Sequence, residues 1–139
     1  MDAVALAHEI ALAGDGEALP GEATAWLRAG LRRWLRGEAD LAIALQLNGG
    51  AMAASRNRAL IDAAAILDDG KGLSAWRLAN LLERAQARFE AGALVKINNG
   101  MNVPLTPLNE CLLRAWRSGM RPLRSARRIY DVLQLTNCA

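Results

Sequence analysis

One spacing dominates this chain: apolar residues return every three or four positions, and glycine punctuates the runs. The stretch EATAWLRAGLRRWLRG, residues 22–37, shows it most fully. Ala23, Trp26, Leu27, Gly30, Leu31, Trp34 and Leu35 fall on one stripe of a helix, which places both tryptophans in the core. Arg28, Arg32, Arg33 and Arg36 take the other side, and Gly37 is a natural C-terminal stop. Strands would need β-branched and aromatic filling, and only 4% of the 139 residues are aromatic. Much of the 53% that is apolar is Ala and Leu, strong helix formers. The pattern predicts an all-α fold, a compact bundle of about six to seven helices in a single domain, residues 1–139.

The remaining helices follow from the same spacing and from cap chemistry. The first runs from Asp2 to Ala13 and closes at Gly14 and Gly16. A short third segment, EADLAIALQL, buries Leu41, Ala44 and Leu45, leaves Ile43 open between burial and exposure, and ends at Asn48-Gly49-Gly50. The fourth spans Ser55 to Asp68, with Ser55 as cap and Leu60, Ile61, Ala64 and Leu67 inward. The fifth starts at Ser74, where Leu73 can staple onto Leu78, and stops at Gly92. The sixth takes Thr106 as cap and Pro107 at its first position, and turns Leu108, Cys111, Leu112 and Ala115 inward, with Trp116 left open at the edge of that face. A last helix follows Ser125 and reaches Leu135 with Ala126, Ile129, Tyr130 and Leu133 on one face.

One segment departs from this spacing. GALVKINNGMNVPL sets β-branched residues around Asn99-Gly100, a strong hairpin signal. A small β-hairpin flap over residues 95–103, Val95–Ile97 against Met101–Val103, and an irregular loop both stay open here.

Catalytic and cofactor chemistry find few carriers. His8 is the single histidine, and no short-spaced set of His, Cys and carboxylates suggests a metal. Cys111 reads as core and Cys138 as an exposed near-terminal thiol, and neither implies a disulfide scaffold. GDGEALPG lacks the lysine and spacing of a phosphate loop. The acid pairs Glu38 with Asp40 and Asp68 with Asp69 read as solvated turn acids. The expectation is a non-enzymatic protein without a cofactor. No apolar run spans a membrane, and the start lacks a basic leader region, so a cytoplasmic location with no membrane partner is expected.

Charge then narrows the field. Residues 1–69 hold six arginines against ten acids, a balance of −4, while residues 70–139 hold eleven cations against four acids, a balance of +7. The basic half ends in RAWRSGMRPLRSARRIYDVL, which carries Arg114, Arg117, Arg121, Arg124, Arg127 and Arg128 beside one acid, Asp131. Such segregation suggests a polyanionic partner. Ala115 and Gly119 fit a helix-turn-helix, but Ser125 stands where an apolar residue belongs, so the connection is too long for the tight motif. Arg127 and Asp131 also form an i,i+4 pair, as on an ordinary solvated face. A second candidate is LAIALQLNGGAMAASRNR, in which Ser55-Arg56-Asn57-Arg58 would open a reading helix. Its turn is again long and glycine-rich.

The stretches LPGEATAWLRAGLRRWLRGEADLAIALQL and PLRSARRIYDVL resemble small helical proteins encoded in prophages and other bacterial mobile elements. The resemblance is one of pattern, a Pro-then-Trp-Leu helix, an "ALGL"-like phrase and a Pro, Ser and Arg-rich final helix. It implies a phage or mobile-element context and assigns no residue roles.

Two functional readings remain. In the first, an accessory protein contacts nucleic acid through the six arginines of the C-terminal basic helical hairpin. In the second, the chain is a protein-interaction module, an adaptor or inhibitor or a homodimer, whose interface uses tryptophan. Trp76, in the first turn of its helix, is the tryptophan of the four expected to be partly exposed.

Overall fold

Side chains that accept from the backbone amide three residues ahead set five of the helix starts. The structure, a computed structural model, describes residues 3–135. Among the described residues it contains eight helices and no strand: α1 Ala3–Leu12, α2 Gly21–Leu35, α3 Leu41–Ala44, α4 Gly49–Asp68, α5 Ala75–Ala91, α6 Ala93–Asn98, α7 Pro107–Trp116 and α8 Ala126–Gln134. The chain is all-α. Asp40, Asn48, Ser74, Thr106 and Ser125 accept from the amides of Ile43, Ala51, Arg77, Asn109 and Arg128. Each such cap contributes about 1 kcal/mol. Asp2 and Cys138 lie outside the described residues, and no described helix is long and apolar enough to cross a membrane.

Three sequence expectations change. The flap at 95–103 is not a hairpin: α6 occupies Ala93–Asn98, and Asn99-Gly100 closes it. Gly100, at φ 78°, donates to the Ile97 carbonyl, and Met101 donates to Lys96, the paired bonds of a Schellman motif. A left-handed glycine serves a type I′ hairpin and a helix end equally well. Here Leu94 is buried and Ile97 packs on the core, which is helical spacing. Second, α4 begins at Gly49, so Ser55 lies inside it and caps nothing at its start. The preceding α3 ends instead on Gln46 at φ 57°, with Leu47 donating to Ala42. Third, Leu41 is exposed, leaving Ala44 and Leu45 as the buried pair of α3.

The described chain packs as two units. The first comprises the residues up to Ser55 together with Arg117–Met120, and the second comprises Arg56–Trp116 and the residues from Arg121 onward. In the first unit α2 packs against α1 and α3. Its core is made of small residues and a few larger ones: Ala3, Val4, Leu6, Ala23, Ala44 and Leu45. Gly30 lets α2 approach α3, because a Cβ there would collide with Leu45 Cδ2 and lie 3.2 Å from the Ala44 carbonyl oxygen. Trp26 Nε1 donates to the Leu45 carbonyl at 3.1 Å across the same crossing. Trp34 is 45% exposed, contrary to its place in the stripe, because the stripe outruns the short α3.

In the second unit α5 is the organising helix. Ala79, Leu82, Ala85 and Phe89 form its buried face. Along it lies α8, contributing Ala126, Ile129 and Leu133, while α7 supplies Cys111, Leu112 and Leu113 to the same core. Leu82 and Ile129 are fully buried, each contributing about 1.5–3 kcal/mol by removal from water. Trp76 keeps 50% of its surface yet meets Tyr130 edge to face, centroids 5.6 Å apart, so it braces α5 against α8.

Candidate functional site

The candidate site is built on the segment that carries the chain from α7 into α8. Residues 121–125 begin at a backbone carbonyl held from α4: Arg56 Nη1 donates to the Arg121 oxygen at 3.0 Å. The same guanidinium grips Asn57 Oδ1 through Nε and Nη2, at 3.2 and 3.0 Å. Partial burial lowers the Arg56 pKa from its ordinary value. Arg56 is therefore a structural clamp inside α4, and Ser55–Arg58 do not open that helix, which begins at Gly49.

Two acids of α5 fix the other end. Glu83 Oε2 accepts from the Ala126 amide at 2.5 Å, at the α8 N-terminus, where a carboxylate complements the helix dipole. Glu90 lies 3.9 Å from Arg124 Nε. Ser125 completes the cap by accepting from Arg128 N at 3.3 Å. The amides of Ala126 and Arg128 are thus engaged, and anion contact at this end falls to side chains.

Between these anchors lies an open groove of about 600 Å³, lined by Trp116, Arg121, Pro122, Arg124, Ser125 and Arg128. None of its lining residues is acidic. Among the described residues no carboxylate pairs with Arg121 or Arg128. Trp116, left open by the sequence, is 38% exposed. The same residue also lines a void of about 10 Å³ beside Leu60, Phe89 and Leu112. Trp116 sits at the edge of the α7 stripe, one residue past the buried Ala115, and that edge position is the sequence signal for its divided environment.

The six arginines proposed from sequence do not act alike. Arg121, Arg124 and Arg128 converge on the groove. Arg114 does not: it donates to Asp62 Oδ2 at 2.9 Å and to Cys111 Sγ at 3.4 Å. The hydrogen bond to Asp62, then that to Cys111, raises its pKa above the ordinary value. Arg127 faces Asp131 at 3.6 Å, the i,i+4 pair read from sequence. Arg117 belongs to the first unit, where its carbonyl accepts from His8 Nε2. That contact gives the lone histidine a backbone partner. The basic hairpin is looser than its name suggests, since α8 has α5 as its main partner and residues 117–125 separate it from α7.

No described set of three or more His, Cys, Asp and Glu side chains could hold a metal ion. The acid pairs have structural uses: Glu38 faces Arg36 at 2.9 Å, Asp40 caps α3, and Asp68 accepts from Leu73 N at 2.7 Å. Comparisons with protein-family models, with curated proteins and with solved structures find no match.

Proposed function

We propose that this chain is a non-enzymatic accessory protein that contacts nucleic acid, with Arg121, Arg124 and Arg128 as the phosphate-binding residues. A prophage or mobile-element context is part of this reading and rests on the sequence resemblance. The observation that carries the reading is the groove: three arginines converge on it, and no acidic residue lines it. Guanidinium groups suit phosphate oxygens, which they can bind through two parallel hydrogen bonds. Arg114 and Arg127, included in the sequence reading, drop out of the proposed contact set because neither lines the groove: Arg114 is held by Asp62, and Arg127 faces Asp131.

The test is binding of labelled single-stranded and duplex DNA across a salt series, with the triple variant R121A/R124A/R128A beside the natural chain. Binding that weakens with salt and is lost in the triple variant supports the reading. No binding at low salt, or binding indifferent to the triple change, overturns it.

One observation favours a protein partner as the second reading. The first unit exposes Trp34 and Leu35 at the α2 C-terminus and Leu41 and Ile43 in α3, large apolar groups of the kind that anchor interfaces. Sedimentation of the natural chain against W34A/I43A tests it, a self-association lost in the variant being the supporting result.

A further inference from the structure

We infer that the groove takes a single strand rather than a duplex, with Trp116 as the platform on which one base stacks and Arg121, Arg124 and Arg128 on the flanking phosphates. This rests on the nucleic-acid reading above and goes on to the strand type and to a residue that reading does not use. Three observations point to it.

The first is the company the arginines keep. A groove that held only phosphates would need no aromatic wall, yet Trp116 lines this one. An indole beside guanidinium groups is the combination that binds unpaired nucleotides, the ring taking the base face and the cations the backbone.

The second is how the ring is held. Trp116 ends α7 and lines the small void shared with Leu60, Phe89 and Leu112, while the residue as a whole keeps 38% of its surface. A residue placed in this way loses little rotamer freedom when a base settles on it. In a duplex the base faces are already stacked on one another, and a tryptophan in a groove wall reaches none of them.

The third is what α8 offers a duplex. Major-groove readers present a helix whose exposed residues meet base edges and phosphates. Here α8 spans only Ala126–Gln134, its Ala126, Ile129, Val132 and Leu133 are buried, and Asp131 sits on its exposed face paired with Arg127. That carboxylate repels the phosphates such docking brings close. Ser125 and Glu83 already take up the amides of Arg128 and Ala126 at its N-terminus.

The experiment uses the full chain and four labelled probes: a mixed-sequence single strand, an abasic strand of equal length, the matching duplex and poly-glutamate. The abasic strand keeps the phosphates and removes the stacking. One stacked base is worth roughly 5- to 140-fold in affinity, the equivalent of about 1–3 kcal/mol at about 1.4 kcal/mol per tenfold. The expected result is that the intact strand binds more tightly than the abasic strand by a factor in that range. W116L lowers the intact strand to the abasic level, and an unchanged circular dichroism spectrum and urea midpoint show that the variant is folded. W116F restores most of the difference.

Equal binding of intact and abasic strands, or an intact-strand affinity untouched by W116L, overturns the stacking inference. If R121A/R124A/R128A still abolishes binding in that case, the phosphate reading stands alone. Tighter binding of the duplex overturns the strand preference. Poly-glutamate binding as tight as the strand overturns the inference in favour of an acidic protein segment, and no binding to any probe overturns both readings together.

Discussion

Glu83 places α8 and therefore the groove, and its removal gives a prediction that can be worked from the structure. Its Oε2 accepts from the Ala126 amide at 2.5 Å, a charge-assisted bond in a half-buried setting beside the core residue Ala126. Hydrogen bonds to charged groups contribute about 1.5–3 kcal/mol, and a carboxylate near a helix N-terminus gains about 0.3–1 kcal/mol from the dipole. Water reaches the amide once the side chain is gone and recovers part of this. We expect Glu83→Ala to cost about 2 kcal/mol, and Glu83→Gln, which keeps an acceptor but loses the charge, about 1 kcal/mol. Urea unfolding followed by circular dichroism measures the global cost. Amide hydrogen exchange at Ala126 measures the local one, where about 2 kcal/mol appears as about a 30-fold loss of protection. Ser125→Ala removes the cap on Arg128 N, 3.3 Å away at the same helix end, at a cost of about 1 kcal/mol. Because both groups hold one helix terminus, the double variant should depart from additivity by about 0.5 kcal/mol or more. A change below about 0.5 kcal/mol in Glu83→Ala, with Ala126 protection intact, would refute the reasoning, leaving burial of Ile129 and Leu133 as what sets the α8 register.

Two further perturbations test other contacts. Gly30→Ala should destabilise the first unit by about 1–2 kcal/mol, although alanine in an open helix site would stabilise, because the new Cβ meets Leu45. In a Leu45→Ala background the same change should turn neutral or stabilising in urea unfolding, and a loss of equal size in both backgrounds would show that Leu45 is not the obstacle. Glu90→Gln removes the carboxylate 3.9 Å from Arg124 Nε and should tighten single-strand binding about two- to five-fold at low salt, the scale of an exposed ion pair. Weaker binding by the variant would mean that Glu90 orients Arg124 for contact instead of competing for it.

What the sequence discloses here depends on how local the chemistry is. Ser74 and Thr106 were legible as caps, and Ser125 as the residue before the last helix, because each bonds an amide three residues ahead. The Arg127–Asp131 pair was legible for the same reason. Around Asn99-Gly100 the sequence left a hairpin and a loop open, because the conformation it signals, a left-handed glycine, is shared by a hairpin turn and a Schellman stop. Only the burial of Leu94 against distant residues selects the helix. The α3 terminus was hidden altogether, since Gln46 carries no glycine to mark its positive φ. The site shows the same divide. Arg121, Arg124 and Arg128 could be nominated from charge, but nothing near Arg114 announces Asp62, 52 residues away, as its partner. Nor does a stripe edge alone reveal that Trp116 lines both a void and a groove.

Net charge and available charge are therefore different quantities, and the difference can be measured. The basic segment holds six arginines, but Arg114 is held by two acceptors, Arg127 faces Asp131, and neither of them nor Arg117 lines the groove. Three remain for the groove. Of these, Arg124 meets Glu90 only at 3.9 Å with its own side chain 70% exposed, a pair that an incoming phosphate can displace at small cost. Counterion release turns this count into a slope: each phosphate contact on a single strand contributes about 0.7 to the fall of log K with log salt. Six working arginines would give a slope of about −4, whereas the three that line the groove give about −2. Arg114→Ala should then leave the slope unchanged while Arg128→Ala moves it by about 0.7. A slope near −4, or one that Arg114→Ala reduces as much as Arg128→Ala does, would mean that phosphates pull Arg114 from Asp62. The contact surface would then extend beyond the groove.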